Sequence, residues 1–182
     1  MLRQPLKHLV HMLCLLALVR PAVADDAAYL AALDKELDNR AVALDVVPAL
    51  AERHAGTAQG RFWSAYAVLE AAQLPRYQAQ ARRHDLQRTR SGGFKAQASL
   101  AFSWLQEKAF VKMLANATAD YLAERQAVPR PGDAETQAFW AYVIEQERVQ
   151  VEALAQAREG DYDAAAATLQ RFVAEQFNAP LQ

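Results

Sequence analysis

The chain has 182 residues, of which 53% are hydrophobic and 23% are charged, and its formal net charge at pH 7 is −1. A charge so close to zero argues against general nucleic-acid binding, which depends on a strongly basic surface. Alanine is abundant and threonine is sparse, and this composition favours helices over strands, so we expect an all-α protein.

The first 24 residues have the three parts of a secretory signal peptide. Basic residues open the chain, an apolar run covers 9–19, and small residues over 22–24 form a cleavage site before Asp25. A membrane anchor is the alternative, but the run is shorter than the roughly 20 residues of a spanning helix. We therefore predict a signal peptide over 1–24 and one domain over 25–182, which does not span a membrane after processing.

Processing would also remove the single cysteine, Cys14. Three of the 20 basic residues would leave with it, so that 17 basic and 21 acidic residues remain and the net charge becomes −4. An exported chain without a thiol forms no disulfide and depends on its hydrophobic core. This pattern predicts a bacterial periplasmic protein.

In the first half of this domain, apolar residues recur at helical spacing. The first predicted helix covers 25–48, and Pro48 either kinks it or opens a short successor. A second helix is predicted over 57–74, where Pro75 stops it, and a short third helix over 76–90.

The second half predicts three more helices. A long helix covers 94–126, a proline-rich loop follows, and Asp133 caps a helix that ends near 159. The last helix covers 162–177 and is amphipathic. Long and short helices joined by short loops predict a single antiparallel bundle of about six helices.

Two glutamates are weak candidates for catalytic residues. Glu147 lies between Ile144 and Val151 on an apolar helix face, and Glu70 lies at the edge of an aromatic face. A buried carboxylate poised for binding or proton transfer is the functional interpretation. The alternative is that the helix is exposed there or that a neighbouring group satisfies Glu147, the candidates being Arg148, Lys108, Lys112 or a tyrosine hydroxyl.

Carboxylates on two facing helices resemble the ferritin-like bundles. Those proteins bind two metal ions with Glu from two helices and Glu-x-x-His from the other two. Here the third positions after Glu70 and Glu147 are Gln73 and Gln150, and no histidine has the required spacing. The resemblance is architectural only, and we predict neither a metal site nor a cofactor.

The first helix contains Leu37-Asp38-Asn39-Arg40, followed by Val42, Leu44 and Val46-Val47. This stretch resembles the opening helix of the secreted helical chorismate mutases, which implies that Arg40 contacts a substrate carboxylate. The family's lysine eleven residues later falls on Ala51, and its later motifs are missing. Because a dicarboxylate pocket needs several fixed positive charges, we expect Arg40 to face solvent instead.

Near the C-terminus the chain reads Gly160-Asp161-Tyr162-Asp163-Ala164-Ala165, with Leu169 and Phe172 following. This is similar to the turn and second helix of the tetratricopeptide repeat. A stable array needs at least three repeats, and Glu152 occupies a place that is usually apolar. We therefore expect an isolated helix hairpin.

Six basic residues gather between 76 and 95 and face a single acid, Asp85. Such a cluster could bind an acidic protein surface or an anionic envelope component. The alternative is a solvated face whose charges pair with acids elsewhere in the fold. The candidate partner-binding residues are Arg76, Arg82, Arg83, Arg88, Arg90 and Lys95.

The sequence has no nucleophile elbow, phosphate loop or heme-attachment cysteine pair. It therefore favours a non-enzymatic exported bundle that binds a protein or envelope component as an adaptor, holdase or immunity-type inhibitor. The alternative is a small enzyme or small-ligand carrier built around an internal cavity. That cavity would use Glu70, Glu147, Tyr66 and Trp140.

Overall fold

The computed structural model describes residues 20–86, 107–129 and 132–177, without the side chains of 20–25 and 107. These residues form five helices and no strand, which confirms the all-α class for the described part of the chain. The helices are α1 (Arg20–Arg53), α2 (Ala58–Arg83), α3 (Glu107–Gln126), α4 (Ala134–Arg158) and α5 (Tyr162–Phe177). None of them is long and apolar enough to cross a membrane.

Helices α1 and α2 form a hairpin with a short turn. Helix α1 continues through Pro48 to Arg53, so no successor helix opens at that proline. The Thr57 side chain accepts a hydrogen bond of 3.0 Å from the Gly60 backbone N–H and so caps α2. A hydroxyl at this position satisfies one of the donors that the first helical turn leaves without a partner.

Helix α2 passes through Pro75, and the predicted break between helices over 57–74 and 76–90 is therefore wrong. Proline inside a helix costs about 3 kcal/mol, because it removes one backbone hydrogen bond and crowds the preceding turn. Burial of α2 on both sides of the proline offsets this cost. Leu69 and Tyr77 are both 0% exposed, and packing of this kind routinely outweighs local propensity.

The later helices agree with the sequence where the structure describes them. Helix α3 is the second part of the long helix predicted over 94–126, and the first part lies outside the described residues. Asp133 caps α4 by accepting a hydrogen bond from the Thr136 N–H at 2.9 Å. Gly160, with φ of +90°, makes the turn into α5, a conformation that glycine adopts without strain.

The helices pack side by side in the order α1, α2, α5, α4, α3, and side chains of α3 bond back to α1. Helices joined by a turn are antiparallel, but α2 and α5 are parallel. Arg61 bonds to Asp163, and Arg76 bonds to Gln176, so contacts advance in the same direction along both helices. Among the described helices, α2 and α5 are thus the parallel neighbours, while the neighbours joined by turns alternate in direction.

The described residues form two apolar clusters in the core. The large cluster contains Phe62, Trp63, Leu154 and Leu169 and lies where α1 ends and α2 begins. The small cluster lies towards the other end of the bundle, and its buried members are Tyr29, Ala32, Leu33, Tyr77, Phe139, Trp140 and Val143. Along α1, α2 and α4, polar side chains lie between the two clusters, and these side chains form the candidate site.

Candidate functional site

A layer of buried polar side chains crosses the bundle between the two apolar clusters. Each of its members is at most 7% exposed, which is unusual for charged side chains. We call this set the polar layer. Its members are Glu36 and Arg40 of α1, Glu70 and Gln73 of α2, Arg125 of α3, and Gln146, Glu147 and Gln150 of α4.

Arg40 lies at the centre of the polar layer and joins three helices. One of its terminal nitrogens donates to Glu70 Oε1 at 2.8 Å, and the other donates to Glu147 Oε1 at 3.0 Å. Burial lowers the pKa of Arg40, but the attraction of both carboxylates outweighs burial and holds this pKa well above its usual value. The prediction that Arg40 faces solvent is therefore wrong, because carboxylates on two other helices compensate its charge.

Glu70 is the best satisfied of the buried carboxylates. Besides Arg40, the side-chain amide of Gln73 donates to it at 2.9 Å and that of Gln150 at 3.0 Å. Burial raises the pKa of Glu70, while Arg40 and the two amides lower it. Gln73 and Gln150 occupy the positions at which a ferritin-like site would have histidines. In this protein both side-chain amides donate hydrogen bonds to Glu70 instead.

Glu147 shares Arg40 with Glu70. Burial raises the pKa of Glu147 to about 8, Arg40 opposes this rise, and the nearby carboxylates of Glu36 and Glu70 add to it. The neighbour considered from the sequence, Arg148, instead binds Glu145 at 2.6 Å on the surface. The partner of Glu147 thus comes from α1, more than 100 positions away in the chain.

Glu36 and Arg125 complete the charged part of the polar layer. The Tyr77 hydroxyl lies 3.0 Å from Gln146 Oε1 and 3.4 Å from Glu36 Oε2. Arg125 lies 3.8 Å from Glu36 Oε1 and donates to the backbone oxygen of Ala32 at 3.1 Å. Sequence reasoning missed Glu36 and Arg125, although Glu36 follows the buried Leu33 at a spacing that places both on one helix face.

Four polar atoms of the layer have no hydrogen-bond partner among the described residues. They are Glu36 Oε1, Arg40 Nε, Arg125 Nε and Gln146 Nε2. The two guanidinium groups are still held by their terminal nitrogens. Most buried polar atoms in proteins are paired, so these four mark the part of the layer where hydrogen bonding is least complete.

The other residues named for an internal cavity also pack in the core. Trp140 donates its indole N–H to the Arg125 backbone oxygen at 3.3 Å and packs edge to face against Tyr29. Tyr66 is 6% exposed and packs against Phe62 and Trp63. No group of three or more His, Cys, Asp or Glu side chains in the described residues is arranged to hold a metal ion.

Of the six predicted partner-binding residues, the structure describes three. Arg76 donates to the Gln176 backbone oxygen at 2.9 Å, and its guanidinium lies 4.5 Å from the ring centres of both Tyr142 and Phe177. Arg83 bonds to Asp133 and Glu135 at the start of α4. Arg82 is exposed. The remaining three, Arg88, Arg90 and Lys95, lie outside the described residues.

A shallow groove on the outer side of α2 is separate from the polar layer. It has a volume of about 670 Å³ and lies between the end of α1, the first half of α2 and α5. Its lining is mostly Ala and Gly, together with the 55% exposed Val68 and with Arg61, which pairs with Asp163. None of the buried carboxylates lines this groove.

The carboxylates of Glu70 and Glu147 accept hydrogen bonds from Arg40 within the polar layer. Both candidate catalytic residues, Glu70 and Glu147, are 1% exposed, so a substrate could reach them only if the helices separated.

Comparisons with protein-family models, with curated proteins and with solved structures find no match to this chain.

Proposed function

We propose that this protein is an exported, non-enzymatic helical bundle that binds an acidic protein surface or an anionic envelope component. The observation that carries the proposal is the pairing of Glu70 and Glu147 with Arg40 inside the core, where both carboxylates are 1% exposed. Groups that bind one another in this way are not available to a substrate. A partner would therefore bind to residues on the surface of the protein.

The basic segment, which comprises the six basic residues between 76 and 95, is the feature of the chain that best fits such a partner. The contacts of Arg76 and Arg83 give these two residues a role within the fold. Arg82 is exposed beside them, and Arg88 and Arg90 follow closely in the sequence. We therefore assign binding to Arg82, Arg88 and Arg90, with a contribution from Lys95.

An enzyme or small-ligand carrier is the second candidate function. It is favoured by the four polar atoms of the polar layer that have no partner among the described residues, because a polar ligand could bond to them. An enzyme or carrier function would require the helices to separate so that a ligand could enter the core. Substitution of Glu147 by Gln would then abolish activity or ligand binding, whereas the preferred function would not change.

The test compares two variants that each remove three positive charges. The first is Arg82→Gln, Arg88→Gln, Arg90→Gln. The control is Arg61→Gln, Arg148→Gln, Arg158→Gln, whose side chains are 58%, 54% and 41% exposed. Capture from periplasmic extract and cosedimentation with phosphatidylglycerol vesicles are measured for both variants and for the wild type.

We expect the first variant to lose most of its binding and the control to keep it. Added salt should weaken wild-type binding, because exposed charges are screened beyond about 8 Å at physiological ionic strength. Both variants should melt close to the wild type, since an exposed pair contributes only about 0 to 1 kcal/mol. Equal binding by the two variants would show that the basic segment is a solvated face.

A further inference from the structure

The charges buried in the polar layer do not cancel. Three carboxylates, Glu36, Glu70 and Glu147, lie with two guanidinium groups, Arg40 and Arg125, and none of the five residues is more than 7% exposed. With every group ionised, the layer would carry one uncompensated negative charge. A buried charge without a partner is strongly unfavourable, and a carboxyl group in that position binds a proton instead.

The geometry indicates which carboxylate holds the proton. Glu70 receives hydrogen bonds from Arg40, Gln73 and Gln150, all of which stabilise its charged form. Glu36 lies 3.8 Å from Arg125, the second buried guanidinium. Glu147 must share Arg40 with Glu70, and its bond to Arg40 is the longer of the two, 3.0 Å against 2.8 Å.

Within 20–86, 107–129 and 132–177, the other helices add no cation that would keep Glu147 ionised. Helix α5, which packs against α4, contributes apolar residues to the core. Burial raises the pKa of each tyrosine near the layer, so these tyrosines stay neutral and add no charge. Among the described residues, the titratable groups that interact with Glu147 are Glu36 and Arg40 from α1, Tyr66, Glu70 and Tyr77 from α2, Tyr121 from α3, and Tyr142 from α4 itself. Arg125 of α3 lies against Glu36 instead.

We propose that Glu147 holds a proton at neutral pH and that the polar layer is a one-proton switch. Release of this proton places a third negative charge between α1, α2 and α4 and weakens their packing. The raised pKa of Glu147, about 8, agrees with this assignment and places the release in weakly alkaline solution.

The direction of the pH dependence follows from linkage. Between the ordinary pKa of a glutamate, 4.5, and the folded value of about 8, the folded chain holds one proton more than the unfolded chain. The contribution of Glu147 to the free energy of unfolding is therefore complete below pH 4.5, and it decreases as the pH rises towards about 8. The unfolding constant should increase by up to about tenfold per pH unit in this range and change little above it.

The experiment measures urea unfolding of the whole protein from pH 5 to pH 9 in three forms. These are the wild type, Glu147→Gln, and the control Glu145→Gln, which changes an exposed carboxylate on the same helix. The Arg148 hydrogen bond lowers the pKa of Glu145, so this group titrates below the tested range. Glutamine cannot release a proton, so Glu147→Gln should lose the pH dependence, while the control should keep it.

Infrared spectroscopy gives a second readout that does not depend on how stable the variant is. The wild type at pH 7 should show the carbonyl band of a protonated carboxylic acid, and this band should disappear as the pH rises past about 8. A wild type without the band at pH 7, or a pH dependence that survives in Glu147→Gln, would overturn the proposal. So would loss of the pH dependence in Glu36→Gln while Glu147→Gln retains it.

Discussion

Arg40 and Arg83 make the same kind of contact in two different environments. Arg40 joins Glu70 and Glu147 inside the core, with side-chain exposures of 8%, 1% and 1%. Arg83 joins Asp133 and Glu135 at the surface, with exposures of 39%, 47% and 68%. Each arginine thus holds two carboxylates from elsewhere in the chain, and the two sets of contacts differ most in the amount of surrounding water.

Burial, more than the number of bonds, decides how much an ion pair contributes to stability. Water solvates Arg83 and its partners whether or not they meet, so the pair adds little to stability. Inside the core no water replaces a lost partner. Removal of Arg40 therefore leaves the buried carboxylate of Glu70 uncompensated and the carboxyl group of Glu147 without its hydrogen-bond donor, even though the intact network itself adds only modestly to stability.

Arg40→Met should have the largest effect of any single change in the polar layer. Methionine keeps the length of the side chain but leaves Glu70 and Glu147 without their shared cation. We expect a loss of about 3 to 5 kcal/mol in the free energy of unfolding, measured by urea denaturation at pH 7. A loss below about 1 kcal/mol would mean that the core opens to water at this point.

Arg83→Met is the matched surface change and should cost about 1 kcal/mol or less. Its effect should shrink further in 1 M salt, where the screening length falls to about 3 Å. The effect of Arg40→Met on the free energy of unfolding should be nearly the same in about 1 M salt as at physiological ionic strength, because ions do not enter the core. Equal salt sensitivity of the two variants would contradict the burial of the Arg40 network.

Features of the fold that depend on near neighbours could be predicted from the sequence. Thr57 and Asp133 cap their helices through residues three positions away, and the apolar face of α5 follows from its own periodicity. The predicted helix break at Pro75 is wrong, because packing against other helices determines whether a helix can contain a proline. Local rules give the cost of a proline but not the burial that offsets it.

The candidate site could be predicted only in part. The apolar neighbours of Glu147 in the sequence indicated a carboxylate on the core side of α4, and the structure places it there with 1% exposure. Arg40 follows Asp38 and Asn39, which make its helical turn resemble a solvent face. Its burial depends on carboxylates that lie 30 and 107 positions away, and no local pattern carries that information.

A double-mutant cycle compares the energy of the buried ion pair with that of the surface ion pair. The coupling energy between Arg40 and Glu70 is measured with Arg40→Met, Glu70→Gln and the double variant, and the same cycle is made for Arg83 and Asp133. We expect a coupling of about 2 kcal/mol or more for the buried pair and about 0.5 kcal/mol or less for the surface pair. Equal couplings would contradict the conclusion that burial sets the contribution of these ion pairs.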